Sequence, residues 1–233
     1  MELQNKATSL WGDFFKVRMV QIRTFHMTWF AFFSAFFAWF GIAPMMVVIR
    51  EEMNLTKSQV GWTIIASVAA TVFARFFIGW LCDRIGPRLA YTYLLIFGAF
   101  PVAGIGLADN FETFLVFRLL IGIIGASFVI TQYHTSVMFA PNVVGQANAT
   151  SAGWGNLGGG VTQFVMPLMF SAFVIGFGFT DAEAWRASMV VVGTVIFFTG
   201  IAYYFITQDA PDGNYSDLRA KGLLPEKKKV TGA

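Results

Sequence analysis

Residues 73–97, FARFFIGWLCDRIGPRLAYTYLLIF, set two apolar runs on either side of a short charged turn. The run that ends near Asp83 and the run that starts after Arg88 each extend for about twenty residues, enough at 1.5 Å per helical residue to cross a hydrocarbon core of about 30 Å. With Gly79, Gly86 and the adjoining proline, the stretch between the two runs is expected to be a tight, glycine-assisted turn. Arg84 and Arg88 hold that turn on one side of a bilayer, with Asp83 available to pair with them.

Working outward, the same alternation continues along the whole chain. Of 233 residues, 56% are hydrophobic and 12% are charged, where a soluble domain would carry about 25% charged residues. The sequence predicts six spans, near 25–49, 60–82, 89–108, 114–138, 152–178 and 187–206. All are expected to be helical, because open strands leave backbone groups unsatisfied in lipid. The organisation that follows is a polar N-terminal segment (1–24), a six-helix transmembrane domain (25–206) and a polar tail (207–233). Residues 1–24 lack the apolar core of a secretory signal. A lone cysteine, Cys82, allows no internal disulfide.

Lysine and arginine are distributed unevenly between the two sides. Eleven fall on the side that carries both termini and the Asp83–Arg88 turn, and only Arg50, Lys57 and Arg186 fall on the other. That bias predicts a multi-pass protein of the cell (inner) membrane with both termini cytoplasmic. The net charge of +3 and the run EKKKV suit anionic headgroups, so the lipid bilayer rather than nucleic acid is the expected partner. Such hydropathy excludes a soluble enzyme. No metal or nucleophile constellation is present, and no cofactor is implied.

Two arginines remain inside spans. Arg75 lies eight residues before Asp83, about 12 Å deep, beyond easy reach of the headgroups. All thirteen Asp and Glu residues fall in termini, loops or span ends, so Arg75 has no intramembrane counter-ion within the chain. An unpaired guanidinium is suited to bidentate contact with a small oxyanion. Arg118, about four residues inside the fourth span, is expected near the outer face with its stem reaching water. It is a packing or interfacial residue, or lines a pathway.

The fifth span contains SAGWGNLGGGVTQ (151–163), with Gly153, Gly155, Gly158, Gly159 and Gly160 around a single asparagine. Glycines at this spacing let helix backbones approach closely. On a 3.6-residue period Asn156, Gly159, Gly160 and Gln163 share one face, polar at two positions and nearly bare between them. Close packing explains the glycines, whereas the two amides suggest a polar solute. In the fourth span Phe128, Gln132 and Thr135 also share a face, offering a ring and two hydrogen-bonding groups. His134 suits helix packing better than a proton role.

These stretches bring a family resemblance. GWLCDRIGPR (79–88) resembles the signature between the second and third helices of major facilitator transporters. AGWGNLGGG (152–160) resembles the signature of the nitrate/nitrite porter family within that superfamily, and ASFVITQYHTSVMFAP (126–141) is similar to that family's fourth helix. The resemblance implies an all-α membrane fold, one half of a twelve-helix transporter, with nitrate or nitrite as substrate. It implies a substrate arginine matched by Arg75, an aromatic stacking ring matched by Phe128, and a signature asparagine matched by Asn156. A second six-helix half, in cis, on another chain or as a homodimer, is then the expected partner. A non-transporting subunit, an inactive fragment and a half specific for another small oxyanion are the alternatives.

Overall fold

A computed structural model describes residues 5–224. The described residues contain six helical spans: Val20–Glu52, Lys57–Ile85, Pro87–Leu107, Phe111–Met138, Val144–Gly176 and Asp181–Ile206. A short helix, Tyr215–Ala220, follows the sixth. The basic run at 227–229 lies outside the described residues.

The spans start earlier than hydropathy alone predicts, because polar caps add turns that carry no apolar signal. Thr56 and Gln59 form a reciprocal capping box at the start of the second span, and Thr180 and Glu183 form another at the sixth. Asn110 accepts from the Thr113 amide at the start of the fourth, at 2.9 Å. Gly86 ends the second span at φ +92°, which favours glycine, and Pro87 begins the third.

The third span packs along the sixth, the first along the fifth, and the second along the fourth. Ala35, Tyr91, Leu95, Ile124 and Ile196 are among the fully buried residues at the centre. The first span is broken. Its long helix ends at Phe40, a short 3-10 turn spans Ala43–Met45, and a separate helix runs Met46–Glu52. Pro44 supplies no amide hydrogen to the carbonyl four residues back, which accounts for the break. The fourth span narrows to a 3-10 stretch at Ile123–Ala126 before resuming at Ser127.

The flanking segments pack against the bundle. Ala7 pairs with the backbone at Met138 and Ala140, and Leu10 is buried against that end. After the sixth span the chain folds back beneath the second and third. Asp209, 2% exposed, accepts the backbone N–H groups of Arg88 at 2.9 Å and Tyr215 at 3.0 Å. It thereby caps the N-termini of two helices. Arg219 donates to the carbonyls of Asp83 and Arg84, the last turn of the second span. Positive charge is favourable at such a carbonyl end. The Asp83 carboxylate pairs with neither neighbouring arginine. Arg84 lies over the Trp80 ring, while Arg88 lies over Tyr204 and donates to its carbonyl.

Candidate functional site

Arg75 is exposed on the second span, and its guanidinium lies over the Phe128 ring, 5.9 Å from the centroid. No hydrogen bond or ion pair to Arg75 occurs among the described residues. Phe128 is half-buried and rests on Phe32 of the first span, their centroids 5.7 Å apart. Phe32 stacks edge-on against Phe36, and Phe36 against Trp39. One cation and one aromatic face are thus brought together, backed by a column of rings. A cation beside an apolar ring suits a flat, delocalised anion, which can take hydrogen bonds in its plane and dispersion contact on its face.

The glycine stretch divides into two faces. A β-carbon on Gly155 would fall inside the Phe32 ring, and one on Gly158 would overlap the Phe33 carbonyl. Ser151 and Thr162 are buried on this same face, and Thr162 donates to the Phe37 carbonyl at 3.2 Å. These positions let the fifth span lie directly on the first. The other face holds Asn156, Gly160 and Gln163, all exposed, and a β-carbon on Gly153 or Gly160 would meet open space. Gly159 is intermediate, with the Phe40 ring 3.1 Å from where its β-carbon would be. Gln163 makes only a long bond to the Gly159 carbonyl, at 3.5 Å. No hydrogen bond joins Asn156 to Arg75 or Phe128.

Three sequence expectations need correction. Arg118 does not reach water: it is 8% exposed, and Nη1 donates to the Trp39 carbonyl at 3.4 Å. The fourth span begins at Phe111, so Arg118 sits deeper than a count from residue 114 places it. Thr135 is fully buried between the fourth and fifth spans, its hydroxyl 3.5 Å from that of Ser151, and so does not line open space. Gly79 lies inside the helix Lys57–Ile85 and takes no part in the turn, and a β-carbon there would make only ordinary contact with Val129. Gln132 is half-buried and donates to the Asn148 carbonyl at 3.4 Å.

His134 has both ring nitrogens engaged. Nε2 lies 2.8 Å from the Gln208 carbonyl, which can only accept, so Nε2 carries the hydrogen. Nδ1 then accepts from the Tyr203 hydroxyl at 2.6 Å. This histidine fixes the returning tail to the fourth and sixth spans. Asp209, Arg219 and Trp39 escaped the sequence reading. The only signal for Asp209 was an acid within a turn-rich TQDAPDGN stretch just past a span. Among the described residues no cluster of His, Cys, Asp and Glu could hold a metal.

Comparison with known proteins agrees with this architecture. Residues 28–230 match the Major Facilitator Superfamily. High affinity nitrate transporter 2.5 of Arabidopsis thaliana is 40% identical over 222 residues, covering 95% of this chain and 44% of that protein. The nitrate/nitrite transporter NrtP of Nostoc punctiforme is 37% identical, covering 87% of this chain and 40% of that protein. The chain therefore spans less than half the length of these relatives. The crystal structure of a bacterial homolog of the human lysosomal transporter Spinster, inward-facing and unoccupied, superposes with a TM-score of 0.71. It is 17% identical and covers 83% of this chain and 44% of that one. The likeness concerns the fold alone. The chain belongs to the Major Facilitator Superfamily, and its sequence relatives there include nitrate and nitrate/nitrite transporters.

Proposed function

We propose that this chain forms the N-terminal half of a nitrate/nitrite pathway that works by alternating access. Arg75 supplies the charge, Phe128 the stacking face, and Asn156 hydrogen bonds from the fifth span. The observation that carries this reading is the exposed Arg75 lying over Phe128 in a chain with no carboxylate in the interior of any span. A bare guanidinium facing lipid is costly, and an anion in a closed pathway would neutralise it.

Burial supports a partner packed against the second and fifth spans. The second and fifth spans, which carry Arg75 and Asn156, have 22% and 17% of their apolar stretches buried, against 39–50% for the other four. A second six-helix unit covering those spans would enclose the arginine and place the substrate between two halves near the midplane. Both termini are then cytoplasmic and the protein sits in the inner membrane, in keeping with the basic bias of the loops. The half's partner is supplied in cis, by another chain or by self-association.

The test is nitrate flux into liposomes holding the chain alone, and the chain assembled with a C-terminal half of a relative. Saturable flux is expected only from the assembly, and Arg75→Lys at matched protein level should reduce it at least tenfold. The ammonium keeps the charge but loses the planar fork. Near-normal flux from the lysine variant would remove Arg75 from the site. Robust flux from a verified monomer would overturn the half-pathway reading.

A further inference from the structure

Arg118 is a guanidinium buried inside the bundle, and no acidic side chain pairs with it among the described residues. Its Nε is buried and unpartnered, and its one bond is the long contact from Nη1 to the Trp39 carbonyl. What balances the charge is the geometry of the first span. The regular bonding of the helix Val20–Phe40 stops inside the bundle, where the Gly41 amide turns to Ala38 and the neighbouring carbonyls are left for other donors. Carbonyls released from the helical ladder in this way carry partial negative charge, as those at a helix C-terminus do.

Three of these carbonyls carry another donor. Phe37 accepts from Thr162 of the fifth span, Ala38 from the Gly41 amide, and Trp39 from Arg118 of the fourth. The Trp39 ring is held as well, its Nε1 donating to Ser67 of the second span at 2.7 Å. From Trp39 the aromatic column runs through Phe36 and Phe32 to Phe128, with successive centroids 5.3, 4.3 and 5.7 Å apart. The break in the first span and the ring beneath Arg75 are therefore joined by one continuous packed column.

We propose that Arg118 is a positioning residue that caps the broken end of the helix Val20–Phe40 and so fixes the aromatic column behind Phe128. It acts on the substrate face through Trp39 and touches no substrate itself. The part of this inference that concerns substrate rests on the nitrate reading above, whereas the capping part stands on geometry alone. A cap of this kind needs a positive donor but not a planar fork, since a single nitrogen makes the bond. That separates Arg118 from Arg75, for which the fork is the point.

The experiment is amide hydrogen exchange over residues 41–49 in the purified full chain, with nitrate affinity measured on the chain assembled with a C-terminal half. Arg118→Gln should accelerate exchange over 41–49 at least tenfold and weaken nitrate binding five- to tenfold. Arg118→Lys should keep both within threefold of the starting protein. Thr162→Val, which removes a neighbouring cap without touching the charge, should accelerate the same amides and guards against an Arg118 variant that does not fold. Unchanged exchange in Arg118→Gln, or no rescue by lysine, overturns the cap. Faster exchange with unchanged nitrate affinity overturns the link to Phe128. If no assembly binds nitrate, the failure falls on the proposed substrate, and the exchange ratio still decides the cap.

Discussion

The Asp209 carboxylate occupies the space that a β-carbon on Gly86 would need. Gly86 holds φ at +92°, and its lack of a side chain lets the carboxylate approach the N-terminus of the third span and accept the Arg88 amide. The glycine of the turn and the acid of the tail are one feature, 123 positions apart in sequence. Gly86→Ala adds both backbone strain and overlap, a cost of about 2–4 kcal/mol. Asp209→Ala strips two helix N-termini of their acceptor, a cost of about 1–3 kcal/mol. Thermal unfolding of the two single variants and the double variant in detergent should show a double-variant loss smaller than the sum. Additive losses would mean that the residues do not share a site.

Asp209 also has a characteristic pH dependence. Burial holds its carboxyl above the ordinary carboxylate value, and the Tyr215 and Arg88 amides and the nearby arginines offset this only in part. A group whose folded pKa is raised contributes stability fully below its unfolded value of about 3.9, and that contribution fades as pH climbs through the folded value. The melting temperature of the unsubstituted chain minus that of Asp209→Asn should therefore increase as pH falls from 7 toward 4. A difference that is flat or decreases over that range would contradict the burial of the charge.

The two faces of the glycine stretch predict opposite outcomes for one small substitution. Gly158→Ala places a methyl group against the Phe33 backbone, which cannot swing aside, so folded yield should collapse. Gly155→Ala meets the Phe32 ring and should be nearly as damaging. Gly160→Ala meets open space, and its better helix propensity should leave stability unchanged or raise it by up to about 1 kcal/mol. Size-exclusion yield and melting temperature of the three variants provide the check. Equal losses at positions 158 and 160 would refute the division.

Much of this arrangement was legible in the residues, for identifiable reasons. The six spans and the tight turn at Gly86–Pro87 follow from runs of apolar residues broken by charge, a signal that lipid enforces without tertiary context. Arg75 stood out because nothing within its own run could neutralise it. Which glycines touch the first span was not legible, since 155, 158, 159 and 160 differ only in helix rotation, and rotation is set by the neighbour. The depth of Arg118 and its carbonyl partner depend on a break at Gly41–Pro44 in a different span. Asp209 lies in a polar segment without periodicity, where only the folded chain reveals what it caps.

At the opposite end of the bundle Arg186 holds three spans through one guanidinium. Nη1 pairs with Glu52 at 2.6 Å, Nε donates to the Gly106 carbonyl at 2.7 Å, and Nη2 to the Ala108 carbonyl at 3.2 Å. Glu52 in turn accepts from the buried Trp185 indole at 2.7 Å, so both of its oxygens are used. Lysine at 186 can keep the ion pair but not the three directions of the fork. Arg186→Lys should therefore lower stability by about 1–3 kcal/mol, from the lost carbonyl bonds. Glu52→Gln retains an acceptor for Trp185 and should cost less than Arg186→Lys. Because both side chains are about a quarter exposed, 26% and 27%, added salt should weaken the Glu52 contribution only in part and leave the carbonyl bonds intact. The measurement is the melting temperature of each variant at low and at 0.5 M salt, roughly spanning weak to strong screening. If Arg186→Lys matches the unsubstituted chain at both, the fork is dispensable and the ion pair alone holds this end of the bundle.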